Sequence, residues 1–228
     1  MNRRPFAALH AHLFSALGPQ GWWPAETAEE VVIGAILTQA VAWTNATRAI
    51  TALRAAGLLE LSVLAATDPA RVAPLIRPAG YFNAKARKLV ATACFVVAAG
   101  GLQALSGQDV RTVRERLLEV HGIGPETADA ILCYALGFPA MVCDGYARRV
   151  LGRVGLLPVA AAAAYEDARQ YLAPRLPADA AWLGEFHALL VAIGKDWCRP
   201  REPRCGGCPA SSLCAHARGH VRLQQRGT

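Results

Sequence analysis

Lysine is nearly missing from this chain. Of 24 basic residues only Lys85, Lys88 and Lys195 are lysines, so the other 21 are arginines. Chemistry that needs an uncharged amine therefore has three residues to draw on. Charge is sparse as well: 18% of residues are charged against 54% hydrophobic, which excludes an intrinsically disordered chain. There is no glycine period, sustained heptad or longer internal repeat, so collagen-like, coiled-coil and solenoid forms are excluded. Long apolar runs are lacking too. One long stretch without charge runs from Leu89 to Gln108, but Gly100, Gly101, Gln103 and Ser106 break it. It reads as a buried helix followed by a turn, not as a membrane span. The opening Met1-Asn2-Arg3-Arg4 is similar to the start of a twin-arginine signal, yet His10 and His12 interrupt the apolar run and no small-residue cleavage site follows. A cytoplasmic protein without a membrane partner is expected. In that compartment seven cysteines do not suggest a disulfide framework.

The 228 residues suffice for one large or two modest domains. Bases exceed acids by 24 to 17, and the pI is about 9.3, which suggests a polyanionic partner. The excess is uneven. Between Cys198 and Thr228 lie six arginines (199, 201, 204, 218, 222 and 226) against Glu202 alone, a net +5 of the total +7.

The hydrophobic period is helical almost throughout. Residues 28–38 place Val32, Ile33, Ile36 and Leu37 on one stripe. A second helix is predicted over 44–56, with Thr44 as its cap. Further helices are predicted near 59–66, 68–77, 84–99, 109–119, 126–136, 145–154, 163–173 and 181–195, besides one at the N-terminus. Proline and glycine punctuate the gaps. No run alternates as a strand would, so the fold class is all-α.

After Trp197 helix formers give way to Cys, Pro, Arg and Gly. Cys198, Cys205, Cys208 and Cys214 are spaced C-x6-C-x2-C-x5-C, with Pro200, Pro203, Gly206, Gly207 and Pro209 favouring tight non-helical backbone between them. Four thiolates on such loops suit a 4Fe-4S cluster or a structural zinc. Arg199, Arg201 and Arg204 lie between the first two cysteines, where they suit phosphate contacts.

Earlier in the chain, Leu118-Glu119-Val120-His121-Gly122-Ile123-Gly124-Pro125-Glu126-Thr127-Ala128 separates two helical patterns. Gly122 and Gly124 allow a tight reversal, and the following helix aims its amides and positive dipole end at the same space, a combination that suits a phosphate. Next comes Gly137-Phe138-Pro139-Ala140-Met141-Val142-Cys143-Asp144, and Asp144 opens a new helix. An aspartate there suits a plain N-cap, and a cap also fixes a carboxylate in place.

In this order, the hairpin, the acidic loop and the cysteine spacing resemble the endonuclease III family of DNA glycosylases, from about Glu26 to Cys214. The resemblance implies a two-lobed helix-hairpin-helix fold. A six-helix barrel would span 20–137, and an iron–sulfur cluster lobe would combine 1–19 with 138–228. It implies double-stranded DNA with a damaged base as partner, a monomeric protein, and a structural 4Fe-4S cluster on Cys198, Cys205, Cys208 and Cys214, with zinc as the alternative. It makes Asp144 the catalytic carboxylate. It places Gly122, Gly124 and Thr127 of the hairpin, with Arg199, Arg201 and Arg204, against the DNA backbone. Gln39 matches the residue that fills the gap left by a flipped base, and Tyr81 matches the second wedge, usually a leucine. Bifunctional members carry a lysine 18 residues before the aspartate. Glu126 stands there instead, either holding water or substrate or serving as a first-turn helix acid. Without that amine, lyase activity is expected to be weak or absent.

Trp22-Trp23-Pro24 together with Trp43 resembles the base pocket of the 3-methyladenine glycosylase branch. Aromatic faces attract cationic methylated purines, and such a base is already an activated leaving group. The resemblance thus implies a monofunctional glycosylase of base excision repair acting on alkylated purines. The alternatives are an oxidised-pyrimidine glycosylase with weak lyase activity and a non-catalytic binder of damaged DNA. His187 is expected as a hydrogen-bonded core histidine outside the ligand set.

Overall fold

The computed structural model describes residues 3–224, with side chains described for 3–219. Arg226 lies outside the described residues, as does the side chain of Arg222. The described chain is helical, and no strand occurs among the described residues. None of its helices is long and apolar enough to cross a membrane. The chain divides into two compact units, one comprising Met1–Trp22 with Pro139–Thr228 and the other Trp23–Phe138.

In the Trp23–Phe138 unit the central element is α2 (Ala28–Leu37), whose residues from Glu30 to Leu37 are all buried. A helix apolar on every side belongs in the middle of a core. Its start follows from Thr27, whose hydroxyl accepts the Glu30 amide at 3.1 Å. The Glu30 carboxylate reaches back to the Glu26 amide and accepts from Arg54 at 2.7 Å. Around α2 pack α3 (Trp43–Ala55) and α6 (Phe82–Ala98), while α4 (Leu61–Ala65) and α5 (Pro69–Val72) lie on α6. Then follow α7 (Leu102–Ser106), α8 (Val110–Glu119) and α9 (Pro125–Ala130). The buried Leu53, Leu64, Ile76, Leu89, Leu105 and Leu117 fill the core, each adding about 1.5–3 kcal/mol of burial.

The other unit pairs α1 (Arg4–Leu17) with α13 (Ala180–Asp196). Phe6, Leu9 and Leu13 face Leu183, Phe186 and Leu190 as the buried set, and His10 stacks on Trp182 at 4.5 Å. Also in this unit are α10 (Gly145–Val154), α11 (Val159–Ala162), α12 (Tyr165–Leu172) and α14 (Ala215–Gln224).

Three expectations need correcting. Helix α3 starts at Trp43 with Ala42 as its cap residue, so Thr44 sits inside the first turn and caps nothing. The extended backbone at Ala42 and the packing of the Trp43 ring on Trp23 set that start. The helix predicted over 68–77 ends at Val72, because Pro74 has no amide to donate. A 3-10 turn covers Arg77–Ala79 instead. The helix predicted over 126–136 changes to a π-helix at Ile131–Ala135, where the Leu136 amide donates to the Ile131 carbonyl. Helices α7, α11 and α14 had no counterpart in the sequence reading.

Candidate functional site

Asp144 caps α10. Its Oδ1 accepts the Ala147 amide at 2.7 Å, and its Oδ2 lies 3.6 Å from His187 Nε2 on α13. Its side chain is 14% exposed. Burial disfavours the charged form, but the facing His187 and the Ala147 and Tyr146 amides outweigh it. The carboxyl is held below its ordinary value of 3.8. His187 is thus a buried histidine, and it faces the carboxylate expected to be catalytic. The loop before Asp144 is anchored by Tyr165, whose hydroxyl accepts the Cys143 amide.

Helix α10 carries a second set of contacts in its later turns. Arg149 donates to the carbonyls of Cys198 and Gly194 at 2.7 and 3.0 Å. Arg153 donates to the Arg199 and Pro200 carbonyls at 2.6 and 2.7 Å and to the Cys198 sulfur at 3.4 Å. The helix that holds the carboxylate therefore also holds the cysteine loop. Cys198, Cys205, Cys208 and Cys214 line one pocket of about 340 Å³, partly open to solvent, together with Val150, Ile193 and Trp197. Burial, and then the neighbouring thiols, raise the Cys205 and Cys208 thiols above the ordinary value. Among the described residues no group of three or more candidate ligands is drawn into a metal-gripping arrangement. The donor chemistry and the shared pocket fit a cluster held by four thiolates. Arg199, Arg201 and Arg204 are exposed on the same loop.

In the Trp23–Phe138 unit the hairpin joins α8 to α9. Gly122 turns at φ 87°, and a Cβ there would stand 2.3 Å from Lys88 Cγ, so both conformation and space require glycine. Gly124 differs from expectation. Its φ is −94° and nothing lies within 4 Å of a Cβ built on it, so no strain or crowding inside the chain demands glycine there. Arg114 grips Asp129 across the hairpin with Nε to Oδ1 at 2.7 Å and a second nitrogen to Oδ2 at 3.2 Å. Asp129 is buried. Nothing in the spacing distinguished this pair from ordinary helix charges.

The Thr127 side chain faces inward. It is buried, and its hydroxyl accepts from Gln39 Nε2 at 3.0 Å, because the side chain points back under the turn. Gln39 also donates to the Gly122 carbonyl at 3.1 Å and accepts from Lys88 Nζ at 2.6 Å. To enter a DNA stack it must exchange all three bonds. Tyr81 is 80% exposed. Glu126 is exposed in the first turn of α9.

The expected aromatic set divides. Trp22 is half-buried and belongs to the unit with Asp144, and Pro24 is exposed. Trp23 meets Trp43 edge-on at 5.8 Å and Tyr134 at 5.5 Å. Tyr134 was not anticipated. It sits on the π-helix, and short π segments often occur at functional sites. Gly34 makes room for the Trp23 indole, since a Cβ there would lie 2.7 Å from Nε1. Lys85 also escaped notice. It is buried, its Nζ donates to the Leu37 and Ala79 carbonyls at 2.7 and 2.8 Å, and burial, then the Lys88 charge, push it down to about 8.

Two helices joined through a tight Gly122 turn, followed by a loop that ends in a capping aspartate, define a helix-hairpin-helix protein. Residues 33–175 match the model of the HhH-GPD superfamily of base excision DNA repair proteins, and the chain belongs to that family of repair glycosylases. A Methanocaldococcus jannaschii protein named as a DNA repair glycosylase is 39% identical over 209 residues, covering 90% of this chain and 94% of its own. The chain spans about half the length of the Arabidopsis thaliana and Bos taurus endonuclease III homologues it also matches. Among solved structures, a trapped endonuclease III–DNA covalent intermediate is similar with a TM-score of 0.76 and 17% identity, over 97% of this chain and 100% of that one. The H. pylori 3-methyladenine DNA glycosylase MagIII, bound to 1,N6-ethenoadenine, is similar with a TM-score of 0.71 and 24% identity, over 85% of this chain and 97% of that one.

Proposed function

We propose that this protein is a monofunctional DNA glycosylase that removes alkylated, 3-methyladenine-type purines from duplex DNA. The observation that carries the mechanism is Asp144, a mostly buried carboxylate fixed by the Ala147 amide and faced by His187. The target nucleotide must leave the stack before reaction. The C1′–N bond then breaks with its electron pair departing on the base, leaving positive charge on the sugar. Ionised Asp144 stabilises that charge and orients the water whose oxygen bonds C1′, and the water's proton passes to the carboxylate or to solvent.

The aromatic cluster of Trp23, Trp43 and Tyr134 supports a cationic, electron-poor base as substrate. Such a base leaves without a strong general acid. Exposed Arg199, Arg201 and Arg204 and the open space at Gly124 support contacts to DNA phosphates. Burial pushes the Lys85 ammonium down, but that burial and two carbonyl partners close it to a sugar, which supports weak or absent lyase chemistry. Cys198, Cys205, Cys208 and Cys214 would hold a 4Fe-4S cluster. With four ligands it would supply structural bracing of the loop and no open iron position.

The test is base release from duplexes carrying a panel of lesions, with and without alkaline cleavage, by the wild type and by Asp144→Asn. Release of 3-methyladenine that falls about a thousandfold in the variant, with DNA binding kept, supports the reading. Equal release by both proteins removes Asp144 from the mechanism, and strand scission without alkali overturns the monofunctional reading.

A further inference from the structure

Among the described residues, Ala40 (φ 54°) and Tyr81 (φ 45°) are the two non-glycines with left-handed backbone. Such backbone is costly for a residue with a Cβ and persists where its surroundings impose it, commonly at functional sites. The two lie 41 positions apart, yet one side chain ties their loops together. Lys85 Nζ donates to the Leu37 carbonyl, at the end of α2 and three residues before Ala40. It also donates to the Ala79 carbonyl, at the end of the 3-10 turn and two residues before Tyr81. Both carbonyls close helical segments and have few other donors in reach, so a buried ammonium suits them.

The neighbouring Lys88 repeats the arrangement one turn later. Its Nζ holds the Gln39 amide oxygen, its stem packs on Gly122, and Gln39 in turn donates to the Gly122 carbonyl and Thr127. Three segments, 37–41, 79–82 and 121–127, are thereby joined to one face of α6. The tips themselves, Ala40 and Tyr81, are exposed.

We propose that Lys85 is a positioning residue that holds the strained tips at Ala40 and Tyr81 as one preformed edge for entry into a DNA duplex, with Lys88 holding Gln39 beside them. The inference rests on the reading above only in taking duplex DNA as substrate. Strain held before binding means that the edge need not be ordered at the moment of insertion.

The experiment uses a duplex with 2-aminopurine opposite a tetrahydrofuran abasic-site analogue, whose fluorescence rises when the 2-aminopurine unstacks. Binding to undamaged duplex is measured by anisotropy, and the folded fraction by thermal melting. The wild type is expected to unstack the probe. Lys85→Met is expected to bind undamaged duplex within about twofold of wild type but to lose about tenfold in unstacking, because two carbonyls lose their donor. Lys85→Arg, which keeps donors and charge, is expected to recover most of the loss. Ala40→Val guards against a folding artefact. Ala40 is exposed, and a β-branched residue resists positive φ, so this folded variant is expected to show a similar loss.

Normal unstacking by Lys85→Met or by Ala40→Val overturns the proposal. So does a loss by Lys85→Met that merely follows its folded fraction or its affinity for undamaged duplex. A wild type that leaves the probe stacked overturns it as well. A wild type that unstacks the probe yet releases no base from any lesion overturns the glycosylase reading and leaves this inference standing.

Discussion

His187 Nε2 stands 3.6 Å from Asp144 Oδ2, on a different helix and 43 positions further along the chain. Burial alone would raise the aspartate; His187 and two amides reverse that and hold it below 3.8. A carboxyl depressed in the folded state contributes stability above its unfolded value, which is lost as pH falls through the folded value. Base release should therefore keep its carboxylate on the acid side of neutrality down to below pH 3.8. In His187→Phe the burial is opposed by the amides alone, so the acid limb of kcat should move to higher pH. His187→Gln, which keeps a donor, should lie between the two. A pH profile of His187→Phe that overlays the wild type would show that the pair does not set the ionisation.

Arg114 and Asp129 make a paired, mostly buried contact across the hairpin. Asp129→Ala removes this carboxylate from the arginine and should cost about 3–5 kcal/mol. For a chain of this length that lowers Tm by about 10 °C. Replacing both residues with apolar ones, Arg114→Met with Asp129→Leu, should recover most of that loss. Thermal melts of the single and double variants check it. A double variant as unstable as the single would mean that the pair sets hairpin geometry rather than merely satisfying buried charge.

The all-helical class was legible because period and punctuation agree along the chain, and the elements that failed did so for local reasons. Pro74 stopped a helix that hydrophobic spacing alone would extend. The change to π geometry at Ile131 leaves no compositional trace, so Tyr134 was invisible as a partner of Trp23. Asp144 was legible because a capping aspartate after a Gly/Pro loop is a local pattern. His187, Arg114 and Lys85 were not, because their roles depend on partners 43, 15 and 6 to 48 positions away. At Thr127 the motif position fixes the backbone, while the direction of the hydroxyl depends on Gln39, 88 positions away.

The four cysteines predict a measurable metal centre. Protein purified without added metal should contain iron and show thiolate-to-iron absorbance in the visible range. Cys208→Ser should lose most of the iron and melt at lower temperature, since bound metal stabilises only the folded loop. Zinc in place of iron, with no visible band, would replace the cluster with a single tetrahedral ion.

Glu126 offers the last test, because it lies exposed in the first turn of α9, where the family resemblance implies a lysine in bifunctional members. Glu126→Lys places a primary amine there. If that position addresses the sugar, the variant should gain strand scission without alkali and a borohydride-trapped protein–DNA adduct, since an uncharged amine attacks C1′ to form a Schiff base. Asp144→Asn in the same background should suppress both signals, because the carboxylate is still needed to stabilise the departing base's charge on the sugar. Scission is read on a denaturing gel, and trapping by a shifted protein band. Continued base release with neither signal would mean that the first turn of α9 does not reach the sugar and that Glu126 serves the helix dipole.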